Sequence, residues 1–522
     1  MVGPCRGQQP SVGGRRVMEL RDSKELARGA IVGIGGKGLG RIIQLSLQVI
    51  LARSLGPAAY GLYALGWTLL RMASVLGSMG LNNGVIRFAR SGRALGEATG
   101  GHRVAMEGVG LALVAGIGLG GATWALADWI ATDALRTPQL TGVLQSFAIG
   151  FPLAAALRVA AAATLVSRRP IYSVVAEDIG RPLVTILIVL PLLLLGRSVE
   201  EIADGTVVAI GVAALMSIGF VRRVLPPGNE RADRRTGTAW QLLRFSFPTA
   251  LAAVFSVFLT WIDRLFVAYY LESAAVGVYQ AVSQTAVMFT VILSGINAIF
   301  TPIAAAMWRE GDIARLTRFY RTSTRWGLYL GMLPLLVIGS VPTAVVTCLY
   351  GTQYEAGAAA LVILSVGQML HVAAGGANVV LIMADRQREW MALSTLAVCA
   401  NVLLNWVLVP SWGIEGAALA TAASVGILFV PAVLRLRRLF NMWPYDLSTL
   451  KCAAAAVVAC ATAVTLTASI GTSGGTSLLL SGAVCTAGWI GMLRLLGIDD
   501  DDRILWKAVR QRMARPRERR ED

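Results

Sequence analysis

The chain has 522 residues, 55% of them hydrophobic and 15% charged, with a mean hydropathy of +0.64. That composition excludes a set of soluble domains, because apolar runs of membrane-spanning length recur almost from end to end. Nor does the net charge of +17 point to nucleic acid, since the basic residues sit in short clusters between apolar runs and not along one soluble face.

Hydrocarbon admits only helices or closed barrels, and these runs are too long and continuous for barrel strands. The expected fold class is therefore an all-α polytopic membrane protein. Residues 1–28 read as a cytoplasmic tail; the part before Met18 is Gly- and Arg-rich without periodicity, either disordered or ahead of the true start codon. The first apolar stretch begins near Ala30 and runs straight into a second, so no cleaved signal peptide is expected. About fourteen spans follow: 29–52, 62–83, 104–127, 142–165, 174–196, 204–221, 246–271, 280–303, 326–349, 357–383, 391–410, 414–434, 451–471 and 475–497.

These divide into an N-lobe (29–221), a basic linker (222–245) broken by Pro-Pro-Gly, a C-lobe (246–434), two further helices (435–497) and a basic tail (498–522). Arg315, Arg318, Arg321 and Arg325, after span eight, read as topology signals in a loop. Cys348, Cys399, Cys452, Cys460 and Cys485 lie in or beside apolar segments without a CxxC pair and read as small hydrophobes. Segment 51–64, LARSLGPAAYGLYA, matches 267–280, VAYYLESAAVGVYQ, at an offset of 216. Six spans separate the copies, so the repeats run parallel about an axis along the membrane normal, with a binding cavity between two rocking lobes.

Three stretches carry a resemblance: residues 51–88, LARSLGPAAYGLYALGWTLLRMASVLGSMGLNNGVIRF; residues 242–282, LLRFSFPTALAAVFSVFLTWIDRLFVAYYLESAAVGVYQAV; and residues 401–424, NVLLNWVLVPSWGIEGAALATAAS. They resemble the polysaccharide transport family of the multidrug/oligosaccharidyl-lipid/polysaccharide exporter superfamily, which includes flippases of O-antigen and exopolysaccharide repeat units. The resemblance implies a transporter that moves a lipid-diphosphate-linked saccharide from the cytoplasmic to the periplasmic leaflet of the bacterial inner membrane by alternating access. The partners implied are the lipid-linked oligosaccharide, membrane lipids, and glycosyltransferases or a polymerase, with no nucleic acid. A multidrug/cation antiporter and a peptidoglycan lipid-precursor flippase are the alternatives. Tyr60 and Tyr63 are expected as interfacial anchors beyond a break at Leu-Gly-Pro.

The residues themselves mark a candidate binding site. Lys37, Arg41, Gln44 and Gln48 fall at i, i+4, i+7 and i+11, one stripe on span one; Arg71, Ser74 and Ser78 make a similar stripe on span two; Arg158, Arg181 and Arg264 add charges on spans four, five and seven. A charge near mid-bilayer costs about 2.5–3.5 kcal/mol or more, so these side chains must look inward. Either they receive a diphosphate, or some form ion pairs, for instance Arg181 with Glu177 one turn away. Gln280 and Gln284 on span eight, and Gln368, His371 and Asn378 on span ten, fall at spacings that place each set on one helical face and could contact sugar hydroxyls or neighbouring helices.

A membrane polymerase or ligase would need a sizeable loop with acid/base or metal groups, whereas the connections here are short and only His102 and His371 occur. The Asp499–Asp502 run reads as a solvated charge cluster, and no phosphate-binding Gly-rich loop is present. The chain is thus expected to be no enzyme, to use no cofactor, and to leave any coupling ion open. Of 47 basic residues, 37 fall on one side of the expected topology, counting Lys451 at the edge of its span with that side, three (Arg53, Arg136, Arg197) on the other, and seven inside spans. Both termini are expected in the cytoplasm. Reporter domains fused after Arg136 or Arg197 should read as periplasmic, and a cytoplasmic signal at both would invert the topology.

Overall fold

The computed structural model describes residues 12–94, 100–167, 171–226, 238–470 and 475–495, and among them the fold is entirely helical. The Asp499–Asp502 run, the basic tail and residues 227–237 of the linker lie outside the described residues. The first helical stretch, Val12–Ser78, starts well ahead of the expected residue 29 and is interrupted at Gly56, whose φ of 73° only glycine adopts readily. Tyr60 donates to Gln48 Oε1 at 2.5 Å across this break. On a straight helix residues twelve apart would be about 18 Å distant, so the chain has folded back into two antiparallel arms.

Gly413 (φ 58°) does the same inside Gln387–Phe440. Arg435 Nε bonds Glu389 Oε2 at 2.7 Å, although 46 helical residues in line would separate them by about 69 Å. By length and apolarity eight helical segments among the described residues can cross a membrane, or nine if one bent pair counts as a single span. The two hairpins are each one segment in that count, so it does not by itself return fourteen.

The reciprocal close approach of the two repeats organises the rest. A Cβ on Gly61 would lie 1.8 Å from Ser273 O, and a Cβ on Gly277 would lie 2.0 Å from Pro57 O. Both pairs obey the 216-residue offset, so the two copies of the sequence repeat cross at their own glycines. Without side chains there, the two backbones come into direct contact. Tyr63 OH and Thr206 Oγ1 are 3.1 Å apart, and Tyr279, the repeat counterpart of Tyr63, has its OH 3.5 Å from Thr421 Oγ1, one residue off the offset from Thr206. The tyrosines expected at the membrane interface are in fact buried: Tyr60 and Tyr63 sit in the core that joins the halves, and their hydroxyls find partners there.

Around this crossing the same face is tied further. Arg53 donates to the carbonyls of Cys348 and Leu349 at the C-terminal end of helix Pro342–Tyr350, where a cation suits the exposed carbonyls, and Tyr354 OH bonds Ala52 O at 2.7 Å. The expected span 326–349 is not one rod: helix Ile313–Ser340 ends at Val341, and Pro342–Tyr350 leaves at 94°. Likewise the expected span 357–383 breaks at Gly375 (φ 55°) into Ala358–Ala374 and Ala377–Met383.

The last two helices, Leu447–Ile470 and Gly475–Leu495, pack on Ile313–Ser340 through Leu336, Ala456, Ala459, Ala463 and Trp489. Arg325, expected in a surface loop, is instead 1% exposed and bonds Asp446 at 3.0 Å, fastening the terminal pair to the body. Gly61→Ala or Gly277→Ala should lower the melting temperature in detergent, the overpacking costing about 1–3 kcal/mol. Gly110→Ala and Gly118→Ala, with nothing within 4 Å of the added Cβ, should leave it unchanged or raise it.

Candidate functional site

The site is built where the two arms of the first hairpin meet residues 174–194. Gly36 and Gly40, four residues apart, present a smooth face. A Cβ at Gly36 would stand 2.3 Å from Val174 Cγ1, and one at Gly40 would stand 2.4 Å from Asp178 O. The segment pressed against them, Val174–Gly180, is a π-helix, an uncommon wide turn that favours functional positions, and it carries Glu177 and Asp178 and ends at Arg181. Pro182 then starts the regular helix Arg181–Leu194.

Trp67, Arg71, Ser74, Arg158, Glu177 and Arg181 line one pocket. Arg71 and Ser74 come from the arm after Gly56, and Arg158 from helix Leu140–Thr164. Three separate stretches of sequence thus place three guanidinium groups and one carboxylate around one space.

Their hydrogen bonding is incomplete. Arg181 Nη2 donates to Gln44 Oε1 at 3.1 Å, and its guanidinium lies over the Trp67 ring, 5.2 Å from the centroid. Arg181 Nε and Arg158 Nε are buried without a partner among the described residues. Neither Arg71 nor Arg158 makes an ion pair or a side-chain hydrogen bond there. The helical spacing of Glu177 and Arg181 suggests a bridge, but they do not form one: the wide π turn shifts the register, so residues four apart no longer stack as they would on an α-helix. Buried guanidinium groups cost free energy unless something answers them. An anion in the pocket would do so.

Other expected site residues are distributed differently. Gln44 reaches the cluster through Arg181, while Lys37 and Arg41 are exposed on the arm that carries Gly36 and Gly40. Gln48 is 2% exposed and accepts from Tyr60. Arg264 does not join the pocket. It donates from Nε to Gln280 Oε1 at 2.5 Å and from Nη1 to Thr260 O and Asp263 Oδ1, each at 2.8 Å, while Tyr279 OH bonds Asp263 Oδ2 at 2.6 Å. This network, under the ring of Trp261, gives Arg264 the structural pairing that the sequence left open.

Gln284 is half-buried. Gln368 and His371 lie on helix Ala358–Ala374, the imidazole stacked on Phe429 at 4.0 Å. Asn378 belongs to the next helix, past the Gly375 break, so these three do not share one continuous face, and none of them lines the pocket. Trp67 lines the site but was absent from the expected set: an aromatic in an apolar run looks like any core residue until Arg181 is seen above it.

The cationic pocket thus lies inside an all-helical body whose apolar helices are long enough to cross a membrane. The fold is shared with a solved structure of the lipid II flippase MurJ in an inward closed conformation, at TM-score 0.71 and 12% identity, covering 89% of this chain and 99% of that one. It is also shared with an inward-facing multidrug resistance MATE family transporter of the MOP superfamily, at TM-score 0.62 and 15% identity, covering 79% and 99%.

The family model for polysaccharide biosynthesis proteins matches residues 50–359, more than half of the sequence, and the chain belongs to that family. Among curated relatives, the probable flippase AglR of Haloferax volcanii is 24% identical over 190 residues, 35% of this chain and 39% of that protein. The capsular polysaccharide biosynthesis protein CapF of Staphylococcus aureus is 17% identical over 200 residues, 38% of this chain and 50% of that one. The chain thus spans between two-fifths and half of the length of these two relatives. The expected likeness to the exporter superfamily is borne out.

The contrast between free and paired arginines is measurable. Arg158→Met should keep or raise the melting temperature, because it removes an unanswered charge. Arg264→Met should lower it by several degrees, since Asp263 is left buried without its partner, at a cost of about 3–5 kcal/mol.

Proposed function

We propose that this protein flips a saccharide linked through a diphosphate to a lipid from the cytoplasmic to the outer leaflet, with both termini in the cytoplasm of a bacterial inner-membrane setting. The observation that carries the reading is the set of guanidinium groups around one pocket that make no ion pair among the described residues. Three arginines less Glu177 leave a net charge of +2 on the lining. A diphosphate esterified at both ends keeps one ionised oxygen on each phosphorus, two negative charges in all, which matches. Guanidinium forks suit phosphoryl oxygens, and their strength in a low-dielectric pocket holds an anion that bulk lipid would exclude.

The lipid chain need not enter the pocket, because it is soluble in the bilayer beside it; the sugar follows the diphosphate. The halves meeting at Gly61 and Gly277 offer the crossing about which they can rock, and the Arg53 and Tyr354 contacts on that face can be exchanged for water. The names of the relatives support the substrate class, and the family points to a role in making a surface or secreted polysaccharide. A cationic pocket disfavours export of cationic drugs.

The test is export in cells whose own flippase is deleted. Arg71→Ala and Arg71→Glu should abolish saccharide export while the protein still inserts, Arg71→Lys should restore part of it, and Arg41 should behave in the same direction. Undiminished export in all the Ala and Glu variants would sink the proposal.

A further inference from the structure

We infer that Trp67 and Gln44 are positioning residues for the anion-binding pocket: they hold the Arg181 guanidinium in place for a phosphoryl group without contacting that group themselves. This rests on the pocket being an anion site, and it changes the part expected of Gln44, which the stripe on the first span suggested as a direct ligand.

The geometry carries it. Arg181 is the arginine of the pocket with a defined hydrogen bond and a defined ring beneath it. Its backbone begins helix Arg181–Leu194, at the end of the π-helix, whereas Gln44 and Trp67 belong to the two arms of the first hairpin. A guanidinium on a long, flexible stem would otherwise sample many rotamers and lose much of that freedom on binding. Here the Gln44 carbonyl fixes Nη2 in the plane, and the indole fixes that plane from one face.

Trp67 is itself immobilised. It is 6% exposed and meets Phe147 edge to face at 6.4 Å; Phe147 in turn meets Tyr63 at 5.4 Å and fills the space left by Gly66, where a Cβ would be 2.3 Å away. The aromatic chain therefore runs from Arg181 through Trp67 and Phe147 to Tyr63, whose hydroxyl is held by Thr206. The hydrogen-bonding capacity that Gln44 and Trp67 leave untouched on Arg181 includes the buried Nε, which has no partner among the described residues. Nothing else in the pocket orients Arg71 or Arg158 in this way, so Arg181 supplies the fixed point.

The test uses the full chain in detergent with inorganic pyrophosphate as probe. Affinity is read from thermal stabilisation, which grows with ligand concentration over Kd, and independently from tryptophan fluorescence. Trp67→Leu should weaken pyrophosphate binding about tenfold, in keeping with a desolvated cation–π contact, while the ligand-free melting temperature falls through the cavity the indole leaves. Trp67→Phe should keep affinity within about threefold, since a ring face remains, and should lose the part of the fluorescence response that comes from this indole. Gln44→Leu, which preserves volume and removes the acceptor, should weaken binding without Phe-type rescue.

Wild-type affinity in both Trp67→Leu and Gln44→Leu, with binding lost in Arg71→Ala, would overturn the positioning roles and leave the anion pocket standing. Binding unaffected by Arg71→Ala, or no binding to the wild type, would overturn the pocket and this inference together. Should Trp67→Leu fail to fold, Gln44→Leu and Trp67→Phe still decide: unchanged affinity in the first overturns the role of Gln44, and a loss in the second as large as in Arg71→Ala overturns rescue by a ring and with it the role of Trp67.

Discussion

Hydrocarbon gives a guanidinium group nothing to bond with, and the architecture is arranged around that fact. Each membrane-embedded arginine must be turned inward and met by a partner, or held for a ligand that will meet it. The protein does both. Arg264 and Arg325 are met by Asp263 and Asp446 and act as structural ties, one within the crossing region and one between the body and the terminal helices. Arg71, Arg158 and Arg181 are collected instead around a shared space with a single carboxylate among them. What separates the two groups is supply of acid at close range, and that depends on three-dimensional neighbours.

The sequence carried much of the fold because membrane folding relies on few, strong signals. Apolar runs located the helices, the basic residues marked candidate turns, and Leu-Gly-Pro located the first hairpin within a residue of Gly56. The offset repeat also located the crossing, since the glycine it aligned is the one that touches the opposite copy. Breaks inside apolar runs were harder to see. The 94° bend at Val341 and the Gly375 break lie in stretches whose hydropathy does not change, so periodicity runs through them.

The site was half legible for a similar reason. Stripes at helical spacing assume an α-helical register, and that assumption holds for Arg71 and Ser74 but fails at the π-helix, where Glu177 and Arg181 are spaced for a bridge they do not make. Arg325 was hidden by its company, three other arginines on the same helix. Tyr60 and Tyr63 look like interfacial residues by type, yet each hydroxyl has a partner inside, so burial costs them little.

The Gly61–Gly277 crossing has a further meaning. Residue 61 touches residue 273 while residue 277 touches residue 57, and subtracting the repeat length makes these one and the same contact counted twice. That is the signature of an isologous surface, the kind through which two identical subunits associate about a twofold axis. Because the two copies lie in one chain, the two sides of this contact are free to differ. At positions 48 and 264, equivalent under the repeat, one half now has a neutral Gln and the other an Arg with an Asp beside it. A homodimer could never have been cationic on one side alone; a fused pair can, and the pocket lined by Arg71, Arg158 and Arg181 is on one side alone.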